Sequence, residues 1–270
     1  MVLSAGLCKT GKRRGTARKK YPDKEKRMSI DTQRTVAEIA LEKPEAAAVF
    51  EKLGIDYCCG GKKPLEAACQ AAGLNASQVV SLIENAGAEG ESRAEAGNWS
   101  EQSLASLVDH IVQKHHAYCR SECLRLEPLL AKVISKHGEH HPELAEVQDL
   151  FSQLRDELSM HMMKEEHMLF PYIIGLEEAV KNQTAPPRAP FGTVHNPVRM
   201  MVQEHDDAGD LTKQIRSLTR NFTPPEDACN SYRVLYQGLE AFEADLHQHI
   251  HLENNLLFPR AIAMEDAQRS

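Results

Sequence analysis

Two segments of this 270-residue chain carry the same pattern: residues 161–171 read HMMKEEHMLFP and residues 249–259 read HIHLENNLLFP. Each segment has a glutamate four residues after its first histidine and a Phe-Pro pair that begins five residues after the glutamate. Positions i and i+4 of an α-helix lie one turn apart on one face. The histidine and the glutamate of each segment can therefore hold one metal ion or two adjacent ions.

The stretches that precede these segments also repeat. His116 lies in QKHHAY and His205 lies in QEHDDA, 89 residues later. Apolar residues at steps of three and four predict four long helices, over residues 100–137, 142–180, 193–221 and 223–264, the last with Thr223 as N-cap and Pro224 at its first position. Four helices in this length predict a four-helix bundle whose second half is a copy of the first.

The donor set predicts the kind of metal. Each repeated helix faces a helix with one more histidine, which gives four imidazoles and two carboxylates. Mixed nitrogen and oxygen ligation suits a di-iron or di-manganese centre better than a structural zinc, and six ligands leave positions for an oxo bridge and a diatomic molecule. One ligand stays ambiguous: aligning VQKH with VQEH favours His115, whereas the apolar stripe counted back from Val133 favours His116.

The chain has 13 histidines, and all of them lie between His110 and His251. Those outside the repeated positions have no such pattern. His167 and His251 are rotated to the face opposite the repeated histidines, which predicts that both are exposed. Glu157 lies one helical turn before His161, and Glu204 lies beside His205. Each carboxylate could accept a hydrogen bond from a ligand histidine, or it could be an ordinary exposed charge on its helix.

Composition predicts a folded, helical protein. The chain is 41% hydrophobic and 26% charged, with 57 Ala and Leu residues against 34 Val, Ile and Thr residues. Residues 29–270 have a net charge of −15, which disfavours binding to nucleic acid or an anionic membrane. No apolar run approaches the roughly 18 residues of a membrane helix.

We expect four segments in the chain. Residues 1–28, with a net charge of +8, read as a basic disordered extension. Residues 29–85 read as a small helical domain, 86–98 as a Gly/Ala/Glu linker and 99–264 as the bundle. The seven cysteines lack the spacing of a secreted disulfide framework, so a cytoplasmic location is predicted.

The small domain holds a pair of adjacent cysteines, Cys58 and Cys59, followed by Gly60 and Gly61. A helix predicted to open near Pro64 would place these thiols at a helix N-terminus, which lowers a thiol pKa and makes it reactive. Small thiols packed in a buried turn account for the same sequence equally well.

Several segments together resemble one family. LGIDYCCGGKKPLEAA, DHIVQKHH, ELSMHMMKEEHMLFPYI, EHDDAGDL, TPPEDAC and DLHQHIHLENNLLFPRA are similar to segments of the repair-of-iron-centres family. Its members are di-iron, hemerythrin-like proteins with an N-terminal ScdA-type domain that carries vicinal cysteines. The resemblance covers about residues 30 to 262.

The resemblance implies an antiparallel hemerythrin-like bundle and an oxo-bridged pair of iron ions with both glutamates as bridges. Its implied ligands are His116, His161, Glu165, His205, His249 and Glu253. The family usually has an aromatic residue where this chain has His115, so a ligand swap there stays open. Cys58 and Cys59 are implied to have a redox or iron-handling role.

The implied function is repair of iron–sulfur clusters damaged by nitrosative or oxidative stress, by supplying iron or by binding nitric oxide. Damaged iron–sulfur proteins would then be the partners, in the cytoplasm and often with the repair protein as a homodimer. The alternatives are a sensor or carrier of oxygen or nitric oxide, and a nitric oxide reductase. The sequence has no flavin or nicotinamide fingerprint, so a reductase would need electrons from a partner.

Overall fold

A computed structural model describes residues 30–89 and 99–269 of the chain. The predicted extension over residues 1–28 and most of the predicted linker lie outside the described residues. Within the described ranges the secondary structure is helical, apart from one isolated bridge between Thr35 and Pro64. The predicted all-α class is therefore confirmed. None of the described helices has the length and apolar character needed to span a membrane.

The N-terminal helices are short and pack around a core of their own. Their bounds are α1 Val36–Glu42, α2 Pro44–Leu53, α3 Leu65–Ala71 and α4 Ala76–Glu89. The side chains of Thr35 and Glu38 form a capping box that starts α1, and Gly54 ends α2 in the left-handed conformation. Phe50, Leu65 and Ile83 are fully buried in the core. Helix α4 extends to Glu89, into the segment predicted as linker.

Four long helical rods follow, and three of them contain a π-turn. The rods are α5 Leu104–His110, π1 Ile111–His116 and α6 Ala117–His137; α7 Glu143–Lys164, π2 Glu165–Leu169 and α8 Phe170–Asn182; α9 His195–Leu218; and α10 Asn230–Leu252, π3 Glu253–Leu257 and α11 Phe258–Arg269. The backbone stays right-handed helical through each junction, so every rod is continuous.

Each π-turn contains one of the predicted ligands: His116 in π1, Glu165 in π2 and Glu253 in π3. A π-turn accommodates one residue more than an α-turn, so it changes the direction of the side chains that follow. Such turns are rare and are frequently found at functional sites. Three of them at one level of the bundle mark that level as the candidate site.

The fourth rod begins later than the sequence predicts. Helix α10 begins at Asn230 with Cys229 as its N-cap, so the prediction of Thr223 as N-cap and Pro224 as first residue is wrong. Pro225 explains the difference, because the residue before a proline is disfavoured in the helical region. The chain instead forms a turn in which the Ala228 N–H donates to the Pro225 carbonyl at 3.0 Å.

The bundle core lies in two apolar clusters, one on each side of the repeated His/Glu segments. One cluster includes Leu130, Phe151 and Leu246, and the other includes Phe170 and Leu257. Helix α7 packs along α9, and α6 packs along α10. The layer between the clusters is therefore held from both sides and shielded from water.

Candidate metal centre

The structure brings the six predicted ligands together in one buried layer, each with at most 2% of its surface exposed. Their donor atoms form two groups of four, within 4.8 Å of one another in each group: His116, Glu165, His249 and Glu253, and His161, Glu165, His205 and Glu253. Both glutamates belong to both groups. This arrangement provides two adjacent metal positions with two carboxylates able to bridge them.

The two groups have nearly the same geometry. In the first, Nε2 of His116 lies 3.1 Å from Nε2 of His249 and 3.4 Å from Oε2 of Glu165. In the second, Nε2 of His205, the counterpart of His116, lies 3.0 Å from Nε2 of His161 and 3.0 Å from Oε2 of Glu253. The sequence repeat is thus expressed as a twofold similarity of the donor atoms.

Acceptors outside the layer orient three of the imidazoles. Each accepts from an Nδ1–H, so it fixes the tautomer and turns the Nε2 lone pair toward the centre. The pairs are His116 with Glu166 at 2.6 Å, His161 with Glu204 at 2.8 Å and His205 with Asn254 at 2.9 Å. This tautomer is the one that a metal-binding histidine needs.

The polar atoms of the layer fit a pair of metal ions. All four carboxylate oxygens of Glu165 and Glu253 are buried without a hydrogen-bond partner among the described residues. In the neutral tautomer that metal binding requires, with Nδ1 protonated, the facing Nε2 atoms carry lone pairs and do not donate to those oxygens. Burying such atoms without a cation costs several kcal/mol. The mixed imidazole and carboxylate donors suit iron or manganese.

The electrostatics of the layer favour positive charge. Burial disfavours the imidazolium of His161, but the charge of Glu165 and the hydrogen bonds with Glu165 and Glu204 together outweigh burial and raise the pKa of His161 to about 10. Burial and the charge of Glu253 act to raise the pKa of Glu165, yet the charge of His161 and the hydrogen bonds with His116 and His161 together hold it below its usual value. The hydrogen bond from His161 lowers the pKa of Glu204 to about 2. The site therefore attracts a cation, whether a proton or a metal ion.

His116, and not its neighbour His115, lies in a donor group. His115 is also buried, but its Nδ1 lies 3.0 Å from Oδ1 of Asp245, outside both groups. The sequence offers two glutamates, Glu157 and Glu204, as hydrogen-bond partners of the ligand histidines from outside the metal layer. Glu204 accepts from His161, whereas Glu157 is exposed and accepts from Gln153.

The prediction that His251 is exposed is wrong. It is 5% exposed, because the N-terminal helices cover it and its Nδ1 donates to the Tyr57 carbonyl at 3.2 Å. The prediction for His167, which is exposed, is confirmed. Helical periodicity gives the direction of a side chain but does not show what packs on that face.

Sequence reasoning missed two outer partners, Glu166 and Asn254. Each directly follows a repeated glutamate, so the two occupy the same position in the two copies. Each also accepts from a ligand histidine on another rod. Comparing the copies for polar residues beside the shared motif would have revealed both.

Cys58 and Cys59 lie in a turn organised by Asp56, whose Oδ1 accepts from the backbone N–H of both cysteines. Their sulfur atoms are 3.8 Å apart. A hydrogen bond to Cys59 and burial raise the pKa of Cys58 well above its usual value. This direction is opposite to the lowering predicted from a helix N-terminus.

This cysteine turn packs directly on the metal layer. The Cys59 thiol lies 3.8 Å from the backbone carbonyl of His205, and Nδ2 of Asn255 donates to the Cys58 carbonyl at 3.2 Å. Gly61 makes the approach possible, since a Cβ there would lie 2.5 Å from the Tyr57 carbonyl. The dithiol and the donor groups thus belong to one continuous packed region.

Comparison with known families matches both parts of the chain. Residues 107–261 match the Hemerythrin HHE cation binding domain. Residues 32–87 match ScdA_N, a domain of unknown function. The first match covers more than half of the chain and includes all six residues of the donor layer.

The chain is also similar along most of its length to curated proteins. A "Probable iron-sulfur cluster repair protein" of Haemophilus influenzae is 36% identical over 232 residues, 85% of this chain and 97% of that protein. "Iron-sulfur cluster repair protein YtfE" of Pectobacterium atrosepticum is 37% identical over 237 residues, 86% and 97%. The protein of the same name in Escherichia coli O157:H7 is 36% identical over 230 residues, 85% and 97%.

Proposed function

This chain belongs to the family of iron–sulfur cluster repair proteins that join an ScdA_N domain to a hemerythrin HHE domain, and from that premise we propose how it works. It repairs iron–sulfur clusters with a di-iron centre as its cofactor. The proposed ligands are the four histidines and two glutamates of the buried layer: His116, His161, Glu165, His205, His249 and Glu253.

One observation carries this proposal: both glutamates are shared by two four-donor groups, and their oxygens are buried without donors. Bound there, two iron ions would supply electron-transfer chemistry and open positions for a small ligand such as nitric oxide or oxygen. The chain's own contribution is to orient the imidazoles through Glu166, Glu204 and Asn254. The apolar clusters on both sides keep water out.

We assign Cys58 and Cys59 an iron-handling or redox role. Thiolate sulfur is a ligand for iron, and two sulfur atoms 3.8 Å apart can bind one ion together. Contact of Cys59 with the backbone of His205 supports short-range transfer of iron between the dithiol and the buried layer.

The domain division over residues 29–85, 86–98 and 99–264 is part of the proposal. The separate core of the N-terminal helices supports it. The proposed clients are proteins with damaged iron–sulfur clusters. The proposed setting is the cytoplasm, with a homodimer as the assembly. The described cysteines are free thiols, which suits a reducing compartment.

Metal analysis of the purified chain tests the cofactor and its ligands. We expect two iron atoms per chain, together with the absorption of an oxo-bridged ferric pair. His161→Ala should lose both, whereas His167→Ala, an exposed histidine on the same rod, should keep both. Tetrahedral zinc in the purified protein, or equal iron in both variants, would overturn the proposed site.

The cysteines separate repair from sensing. In a Cys58→Ser/Cys59→Ser variant with full iron content, recovery of a nitric oxide-damaged cluster should fail if the dithiol handles iron. Recovery at the wild-type rate would instead assign the work to the bundle alone. Free Cys229, far along the chain at the start of α10, provides a matched control when replaced by serine.

A further inference from the structure

A line of ring contacts runs from the surface to the metal layer. Trp99 stacks on His110 with 4.1 Å between ring centroids, and the edge of His110 meets His115 at 5.6 Å. His115 lies parallel to the ligand His249 at 5.8 Å, with 6° between ring planes. Four rings thus connect a half-buried tryptophan to the buried donors.

The rings in this line are fixed in place. The backbone carbonyl of Trp99 accepts from Nη1 of Arg260 at 3.2 Å, which ties the turn before α5 to α11. His115 is 1% exposed and paired with Asp245 at 3.0 Å.

Two other ligand rings contact aromatic residues that lie in the interior of the bundle and do not reach the surface. His116 stacks on Phe170 and His205 stacks on Phe258, and both phenylalanines are buried in the apolar cluster. Among the ring contacts of the described residues, the line through His115 is the one that connects a ligand histidine to the edge of the protein.

The outer end of the line opens into a surface groove of about 690 Å³ beside Trp99 and His110. Gln102 and Gln113 line it with amide groups, and Lys114 and Asp109 add one charge of each sign. An aromatic face stacks with planar ring systems, and amides can hydrogen-bond the edge of such a ring. The groove therefore fits a planar, heteroaromatic molecule.

We propose that this groove binds a reduced flavin nucleotide and that Trp99, His110 and His115 carry its electrons to His249 and the ferric ions. This inference rests on the proposed di-iron function. Each electron leaves the reduced isoalloxazine ring and converts one ferric ion to ferrous; no covalent bond of the protein changes, and the flavin's proton goes to solvent. The line matters because electronic coupling through contacting rings exceeds coupling across a gap.

Anaerobic stopped-flow reduction of the oxidised, iron-loaded protein by reduced flavin mononucleotide tests the route. His115→Leu removes the ring and should slow reduction by about tenfold or more, equivalent to at least ~1.4 kcal/mol. His115→Phe restores a ring and should restore the rate. His167→Ala, remote from the line, is the control. Reduction of fully loaded His115→Leu at the wild-type rate would overturn the inference.

Binding is measured separately in the metal-free chain. Trp99 is the only tryptophan, so its fluorescence reports on the groove alone. Oxidised flavin mononucleotide should quench this fluorescence, and Gln102→Ala with Gln113→Ala should weaken the quenching. Wild-type chain without quenching contradicts the groove as the binding site. Failure of the wild-type chain to bind iron would refute the di-iron function, while the quenching result would still decide the groove.

Discussion

Glu166 accepts from His116, a proposed ligand of the first donor group, and provides a sharp test of the metal site. Its Oε1 lies 2.6 Å from Nδ1 of the imidazole, and Arg120 donates to the same oxygen at 2.7 Å. A hydrogen bond to a charged group contributes ~1.5–3 kcal/mol. Replacement of Glu166 by Ala removes that contribution, and the Nε2 lone pair of His116 is no longer held toward the centre.

We expect Glu166→Ala to weaken metal binding by about 10–100-fold, the usual effect of losing an outer partner. The loss should fall on the group that contains His116. Titration of iron against a competing chelator should therefore show one weakened and one nearly normal position. The mirror variant Asn254→Ala should weaken the other position, since Asn254 orients His205.

Glu157→Ala is the matched control, because this exposed glutamate accepts from Gln153 and, within the described part of the chain, forms no hydrogen bond with a ligand histidine. It should leave both affinities unchanged. Equal loss at both positions in Glu166→Ala, or loss of the same size in Glu157→Ala, would refute the argument that outer acceptors act one imidazole at a time.

Three further predictions concern stability. Glu265→Ala should lower the free energy of unfolding in urea by about 3 kcal/mol or more, since its buried carboxylate accepts from the hydroxyl of Tyr172 at 2.5 Å and from a backbone N–H. Gly61→Ala should cost about 1–3 kcal/mol and speed the reaction of Cys58 with a thiol reagent, because the new Cβ would collide with the Tyr57 carbonyl. The pKa of Glu204 is lowered to about 2 from an ordinary 4.5, so its contribution to the free energy of unfolding is fully present above pH 4.5 and is lost as the pH falls toward 2. Glu204→Gln should therefore reduce the dependence of stability on pH between these two values, measured by acid unfolding of the metal-free chain.

Two of these predictions have a contrasting variant, and the third has an outcome that would contradict it. Gly175→Ala places a Cβ at ordinary contact distance, 3.4 Å from Pro187, and should leave thiol reactivity unchanged. Glu178 lies on the same rod as Glu165, and Glu178→Gln should leave the acid-unfolding curve unchanged. Unchanged urea stability in Glu265→Ala would mean that water replaces the lost carboxylate.

The sequence was sufficient for the fold class and for the two His/Glu pairs of the site, because both depend on local spacing. His161 and Glu165 are four residues apart on one rod, and so are His249 and Glu253, so each pair meets regardless of the rest of the fold. Aligning the two copies favours His115, whereas counting along the apolar stripe favours His116, and the structure places His116 in a donor group. The two local criteria disagree at this point, where the π-turn at Ile111–His116 interrupts the 3.6-residue period.

Long-range packing was also beyond local patterns. The burial of His251 depends on Tyr57, 194 residues earlier in the chain. Likewise, Thr223 and Pro224 have the right chemistry for a helix start, but the following Pro225 and the turn that it begins override that preference. Local rules describe which residues can begin a helix, and neighbouring residues decide whether they do.

The two copies of the motif have kept the same inner residues while their surroundings have diverged. Asn255 and His251 contact the turn around the cysteines, and their counterparts 88 residues earlier, His167 and Met163, are exposed. At these positions, within the described residues, the N-terminal part of the chain therefore covers the second copy and not the first. Two chemically similar metal positions thus face different neighbours: the Cys59 thiol meets the backbone of His205 in one group, and His115 stacks on His249 in the other. Under the two proposals made above, iron exchange and electron entry would use different sides of one centre.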